Sequence, residues 1–182
     1  MKVGTKSLLY GVHAFWLHPI MVAIAWIKLF GFPFSIPIWT SFFVHDLGYW
    51  GKPNMDGKEG ETHVILGAYI MHRLFDEILH SKTYKNSNDL YKWYDFTLYH
   101  SRFYAKTNDH PISKLCIADK YAFCVCPKWI YLPMARWSGE IYEYMDENKN
   151  RSGHSYKGED DWFEHVRVFM ENWVKEEMDK LK

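Results

Sequence analysis

The chain has 182 residues, of which 48% are hydrophobic and 19% aromatic, and its 22 basic and 22 acidic residues leave no net charge when the histidines are neutral. That length and apolar content suit one compact domain with a sizeable core and exclude a disordered chain. Charges of both signs are interspersed, which excludes the basic stripe that extended nucleic acid requires.

In chain order, Ser7 to Trp16 reads as a short helix. Pro19 suits the first turn of a second helix, where its missing N–H is harmless. Ile20, Ala23, Ile24 and Ile27 then recur at helical spacing, and Gly31-Phe32-Pro33 ends the helix. Pro37 opens a third helix that runs into His45-Asp46. A spanning helix needs roughly 20 apolar residues, and Lys28, Gly31, Pro33 and Pro37 break Pro19 to Val44 into two shorter pieces. These are expected as two buried helices joined by a Pro-rich turn, with no membrane partner. Gly48 to Gly60 reads as an exposed loop. A fourth helix is expected from about Glu61 to Leu79, with Val64, Leu66, Ala68, Ile70 and Leu74 inward.

Ser81 to Asn88 is a polar connection, and a fifth helix carries Leu90, Trp93, Tyr94, Thr97 and Leu98 up to Tyr99-His100. Ser101 to His110 reads as another loop. Pro111 opens a sixth helix over Ile112 to Cys124, with Leu115, Ala118 and Ala122 on one face. Pro127 starts a segment that continues through Tyr144, and Asp146 to Gly158 is linker-like. The last helix, from about Asp160, places Trp162, Val166, Phe169 and Trp173 on one amphipathic face. With no strand alternation and no repeat, the fold class expected is all-α. The expectation is a single domain over 1–182, with a core at about 11–123 and a C-terminal helical extension at 127–182.

Three cysteines, Cys116, Cys124 and Cys126, are too few and too clustered for a secreted disulfide framework. They read as reduced thiols of a cytoplasmic protein, although Cys124 and Cys126 could also touch a metal. No signal-peptide pattern is expected at the start.

The chemistry concentrates in histidines and aspartates. Successive helical residues point about 100° apart, so His45 and Asp46 can approach one ion together only near a helix end, which Gly48 supplies. Asp119 is a carboxylate in the apolar run Leu115 to Tyr121, costly to bury unless paired or metal-bound. His18 heads the helix that returns at His45, and His13 is its rival for that place.

The order His18, His45-Asp46, His63, His100, Asp119 resembles the HD superfamily of metal-dependent phosphohydrolases. The nearest pattern is that of the symmetrical dinucleoside-tetraphosphate hydrolases: His63 before Gly67-Ala68, Tyr99-His100, and Lys114 before Ala118-Asp119. The resemblance covers roughly Gly11 to Phe123 and implies a compact HD-domain helical bundle with an additional C-terminal helix. It implies His18, His45, Asp46, His63, His100 and Asp119 as ligands for one or two divalent transition-metal ions, iron or manganese first and zinc, cobalt or nickel next, with Asp46 bridging. Such ions make a nucleophile of water at neutral pH. The implied activity is hydrolysis of a nucleotide or related phosphate ester or anhydride. Alternatives are a di-iron oxygenase of the same superfamily and a non-catalytic nucleotide-sensing module. A homo-oligomer is compatible with either.

Lys52, Arg102 and Lys106 could meet phosphate, Lys52 and Arg102 acting with Asp46 in catalysis, and each has the plainer reading of a solvated loop charge. Tyr49, Trp50, Tyr99 and Phe103 could stack on a base or simply pack, and His110 could reach substrate from its loop. His72, His80, His154 and His165 read as helix-surface or linker residues. Two departures stand out. Many members read His-Asp-x-Gly-Lys, but Tyr49 follows Gly48 here, and Gly51-Lys52 comes three positions late. Tyr49 also stands where the nucleoside-monophosphate phosphatases place an acid, and the Glu-Asp pair of the alarmone hydrolases is missing.

Overall fold

The computed structural model describes residues 1–78, 91–153 and 155–182. The expected connection at Ser81 to Asn88, and the readings of Leu79, His80, Leu90 and His154, lie outside them. Among the described residues the fold is all-α. The helices are α1 (Val3–Tyr10), α2 (His18–Phe30), α3 (Ile36–Val44), α4 (Val64–Met71), α5 (Lys92–Leu98), α6 (Arg102–Thr107), α7 (Lys114–Val125), α8 (Lys128–Ser138), α9 (Glu140–Ser152) and α10 (Glu159–Lys180). Tight turns at Leu47–Tyr49 and Gly60–His63 join α3 to α4, and a wider π-type turn over His72–Glu77 prolongs α4. No described helix is long and apolar enough to cross a membrane.

One core lies where α2, α3 and α7 meet: Val22, Ala25 and Trp26 pack against Phe42, Leu115, Ala118 and Ala122. Small residues on α2 and α7 bring these two helices close and fix the face that α2 buries. Ile20, Ile24 and Ile27 therefore stay on the open side, although their spacing predicts them inward. A helix apolar all round gives hydropathy no face to choose. The same holds for α4, where Val64 and Ala68 are buried and Leu66 and Leu74 are exposed.

A second core joins the C-terminal region to α7. Tyr131, Leu132, Ala135, Ile141, Trp162, Phe163 and Val166 close around Phe123. The region after Pro127, expected as a helical extension, holds α8, α9 and α10. Gly139, at φ 88°, breaks α8 from α9. The expected linker is helical up to Ser152, because its polar residues form the outer side of a packed helix. Ser101 to His110 is likewise no loop. The Ser101 hydroxyl accepts from the Phe103 and Tyr104 N–H groups and starts α6. The first helix spans Val3–Tyr10, earlier than expected, and ends at Gly11.

Candidate metal centre

The helix α3 ends at the point the chemistry needs. His45 still donates its backbone N–H to the Ser41 carbonyl at 3.1 Å. Asp46 has left the helix, with φ −99° and ψ −1°, the sparsely populated bridge conformation frequent at active sites. That change turns two adjacent side chains towards one point. Two glycines let α4 press against this corner. A Cβ on Gly48 would meet the His63 carbonyl oxygen at 1.9 Å, and one on Gly67 would meet the Val44 carbonyl oxygen at 2.5 Å. Both glycines are thus needed for close backbone approach.

His18, His45, Asp46 and Asp119 converge from α2, the end of α3 and α7, and Asp46, His63 and His100 form a second group. His18 Nε2 lies 3.2 Å from Asp46 Oδ2 and 3.0 Å from Asp119 Oδ1. His45 Nε2 lies 3.1 Å from Asp46 Oδ2 and 3.8 Å from Asp119 Oδ1. The other oxygen of Asp46, Oδ1, lies 3.5 Å from His63 Nε2 and 3.5 Å from His100 Nε2. Donors bound to one ion at roughly 2.0–2.2 Å sit within about 4.4 Å of each other, so these separations fit an ion on each side of Asp46. His45 Nε2 and Asp46 Oδ2 are shut from solvent and make no hydrogen bond of acceptable geometry, although they are close. Buried polar atoms left this way call for a further partner.

The histidines are oriented from behind. His45 Nδ1 faces the Ser41 and Phe42 carbonyls at 3.1 and 3.0 Å. His63 Nδ1 faces the Gly60 carbonyl at 2.7 Å, and His100 Nδ1 the Thr97 carbonyl at 2.5 Å. A carbonyl can only accept, so each Nδ1 carries the hydrogen. In the neutral ring this leaves a lone pair on Nε2, the arrangement found behind metal-ligating histidines. His63 Nε2 and His100 Nε2 stand 3.3 Å apart, two lone pairs facing each other. A cation between them resolves the conflict, so these buried groups can hold a metal ion.

Charge differs across Asp46. Burial pulls His45 down, but the Asp46 and Asp119 carboxylates outweigh it and raise its pKa to about 10. His18 is raised by the same balance. On the other side, burial prevails over the pull of Asp46 and holds His63 at about 3, and His100 is lowered as well. Burial pushes both carboxyls up. His45 chiefly overcomes this for Asp46, and Lys120 for Asp119, so both lie well below the usual carboxylate range. Lys120 pairs with Asp119 at 2.9 Å.

A cavity of about 790 Å³ opens beside the cluster and reaches His18 and Asp119. His63 is covered by Tyr49, whose ring stacks on it at 3.9 Å. Tyr49 is 6% exposed, with one ring face against His63, and it also lines the cavity. Arg102, Phe103 and Lys106 line the cavity from α6, and the Arg102 guanidinium lies over the Trp173 ring. Lys52 is not among the lining residues; its ammonium donates to the Thr62 hydroxyl at 2.5 Å. His110 also lies apart, stacked on Tyr99 at 3.8 Å. Trp50 is exposed. His165, expected on a helix surface, and Phe169, expected in the core, both line the cavity. His72 faces Asp76 and Glu77. Cys124 and Cys126 belong to neither histidine–aspartate group.

Sequence reasoning treated His13 only as a rival of His18 and overlooked Glu140. The structure places His13 in the cavity wall, its ring 5.1 Å from that of His18, with Glu140 behind it. No family model, curated protein or solved structure matches the chain.

Proposed function

We propose that the protein is a metal-dependent phosphohydrolase of the HD-superfamily kind, acting on a nucleotide or a related phosphate ester or anhydride. One observation carries this reading. The two oxygens of Asp46 face separate histidine pairs, His18 with His45 at 3.2 and 3.1 Å and His63 with His100 at 3.5 Å each. Divalent transition-metal ions, iron or manganese by the resemblance, would supply Lewis acidity at phosphoryl oxygens and a water acidified for attack.

The chain's own residues supply the rest. His18, His45 and Asp119 would hold the cavity-side ion, His63 and His100 the inner one, and Asp46 both. Arg102 and Lys106 line the cavity from one helix. They offer a flat two-pronged donor and a point charge to the remaining phosphate oxygens. Phe103, 51% exposed beside them, presents a ring face on which a base can stack. Burial of His45 and His100, at 1% and 2% exposure, keeps bulk water from the inner part of the cluster. A small substrate fits a cavity of this volume, which lies in the usual range of roughly 300–1,000 Å³ for ligand pockets. The localisation this reading favours is cytoplasmic, in keeping with three free thiols.

The test is phosphate release from nucleotides and dinucleoside polyphosphates by manganese- or iron-loaded protein under nitrogen. Release without oxygen is the expected result. Turnover only with iron and oxygen would establish the oxygenase instead, and nucleotide binding without turnover would establish a sensor.

A further inference from the structure

Glu140 is a wholly buried carboxylate, 0% exposed, outside the histidine–aspartate cluster. It sits in the first turn of α9, after the left-handed Gly139. Its Oε1 accepts from the Val12 N–H at 2.8 Å and the Ser138 hydroxyl at 2.6 Å. Its Oε2 accepts from the Ser7 hydroxyl at 2.8 Å and the Tyr144 hydroxyl at 2.9 Å, and faces His13 Nδ1 at 3.2 Å. Burial pushes this carboxyl up, but His13 and the Ser138 and Val12 donors more than offset that and hold it below its usual range. His13 Nδ1 also lies 2.9 Å from Ser7 Oγ, whose hydrogen is given to Oε2; both oxygens can then only accept, so His13 Nδ1 carries the hydrogen. The lone pair of the neutral ring is then on Nε2, the nitrogen on the far side of the ring from Glu140.

The place of that ring matters. His13 lines the cavity. Its ring lies 5.1 Å from His18, a member of the first ligand group, and 5.1 Å from Tyr49, which stacks on His63 of the second. It therefore borders both halves of the cluster. Fastening the N-terminal segment to α9 is accounted for by Ser7 and Val12, with Ser138 and Tyr144 satisfying the carboxylate from α8 and α9. None of these requires an imidazole in the cavity wall.

We propose that His13 is a further contact residue of the candidate active site, its Nε2 accepting a hydrogen bond from an O–H donor bound beside the cluster, with Glu140 as the positioning residue that fixes its tautomer. This rests on reading the cluster as a metal centre that hydrolyses phosphate compounds. The donor is either the water consumed in hydrolysis or a hydroxyl of the substrate. In the first case a water O–H bond breaks, its proton passes to Nε2, and its oxygen bonds to phosphorus as the leaving group departs. Glu140 then faces the imidazolium. In the second case no bond changes at His13.

The test has two parts. The first is long-range ¹H–¹⁵N correlation on metal-free, ¹⁵N-histidine protein, with the His13 signals assigned by their loss in His13→Gln. The wild type is expected to carry hydrogen on Nδ1. In Glu140→Gln the Val12 N–H can only donate, so it keeps the amide oxygen at the Oε1 position. The amide nitrogen then donates towards Ser7 Oγ and His13 Nδ1, the Ser7 hydroxyl hydrogen loses its carboxylate acceptor and turns to Nδ1, and the ring hydrogen moves to Nε2. Hydrogen on Nε2 in the wild type overturns the proposal, and that measurement needs no variant of Glu140 to fold. The second part is turnover by metal-loaded His13→Gln with unchanged metal content. A kcat for p-nitrophenyl phosphate lowered ~100-fold, within the range of general acid–base contributions, with KM unchanged, identifies the water. An unchanged rate on that probe with KM for AMP raised ~10-fold, about the weight of one lost hydrogen bond, identifies a substrate hydroxyl. Unchanged kcat and KM on both probes overturn the proposal. Should the loaded wild type hydrolyse neither these probes nor a dinucleoside polyphosphate, the hydrolase reading fails, and the tautomer still decides whether Glu140 positions His13.

Discussion

On one side of Asp46 stand His18, His45 and Asp119; on the other stand His63 and His100. Both sides use imidazole, both are buried, and each faces one oxygen of the same carboxylate. Their protonation is opposite: His18 and His45 are raised and His63 and His100 lowered. The cause is the carboxylate count. Asp119 stands 3.0 and 3.8 Å from the first pair, enough with Asp46 to outweigh desolvation; on the second side Asp46, with a smaller pull of Asp119 on His100, does not outweigh burial and the neighbouring histidines. Access differs too, since the cavity reaches His18 and Asp119 and Tyr49 covers His63. The lesson is that ligand type alone does not set a site's behaviour. Protons can hold the cavity side together, and the inner side is a pair of neutral rings whose facing lone pairs could hold a cation.

The comparison breaks most sharply at the shared residue. Asp46→Ala is expected to remove metal from both sides and to lower phosphate release by more than the ~10–100-fold typical of outer-shell changes. Helical circular dichroism should persist, because Asp46 belongs to no helix. Metal analysis and turnover on the same sample check this, and retained turnover would exclude the metal mechanism. His63→Ala should separate the halves, lowering metal content by one equivalent while the cavity side stays loaded.

Protons give a finer test. A metal ion entering the cavity side must displace the proton that His45 holds up to about pH 10. Affinity should therefore fall as pH is lowered, by up to tenfold per unit for each proton displaced. Titration calorimetry in buffers of different ionisation enthalpy counts those protons. Ions entering the inner side should release none at neutral pH. The stability of the metal-free protein carries the same contrast. His45 is raised from 6.5, so its contribution is complete below that value and is lost as pH rises towards 10. His63 is lowered from 6.5 to about 3, so the unfolded chain takes up a proton that the fold refuses. Its contribution is complete above 6.5 and is lost as pH falls towards 3. Chelator-treated protein melted across that range should lose stability at both ends, and His63→Leu should shrink the acid limb, leaving the share of His100 and the carboxylates, without changing the alkaline one. The smallest effect concerns packing. Gly67→Ala places a methyl 2.5 Å from the Val44 carbonyl and should destabilise by about 1–3 kcal/mol, as overpacking does, measured by urea titration.

Much of the cluster was legible because its signal is local. The pair His45-Asp46 before Gly48 marks a helix end, and the structure supplies the reason for that glycine in the His63 carbonyl against it. The lone carboxylate of Asp119 in an apolar helix was legible for the cost of burying it. Glu140 was not, since a single acid between Gly139 and Ile141 carries no spacing signal, and its partners Ser7 and Val12 are distant in sequence. The helix α6 was missed because its apolar periodicity is weak. Ser101, which caps it, was the available signal. The inward face of α2 was not legible, because close approach to α7, and not hydropathy, selects it.

The central claim is that Asp46 joins two cation sites. Elemental analysis of wild-type protein and of Asp46→Ala, both purified without chelators from metal-replete cells, tests it most directly. The account predicts two equivalents of transition metal per chain in the wild type and none in the variant. A wild-type protein free of transition metal, or a variant that keeps its full complement, would contradict it.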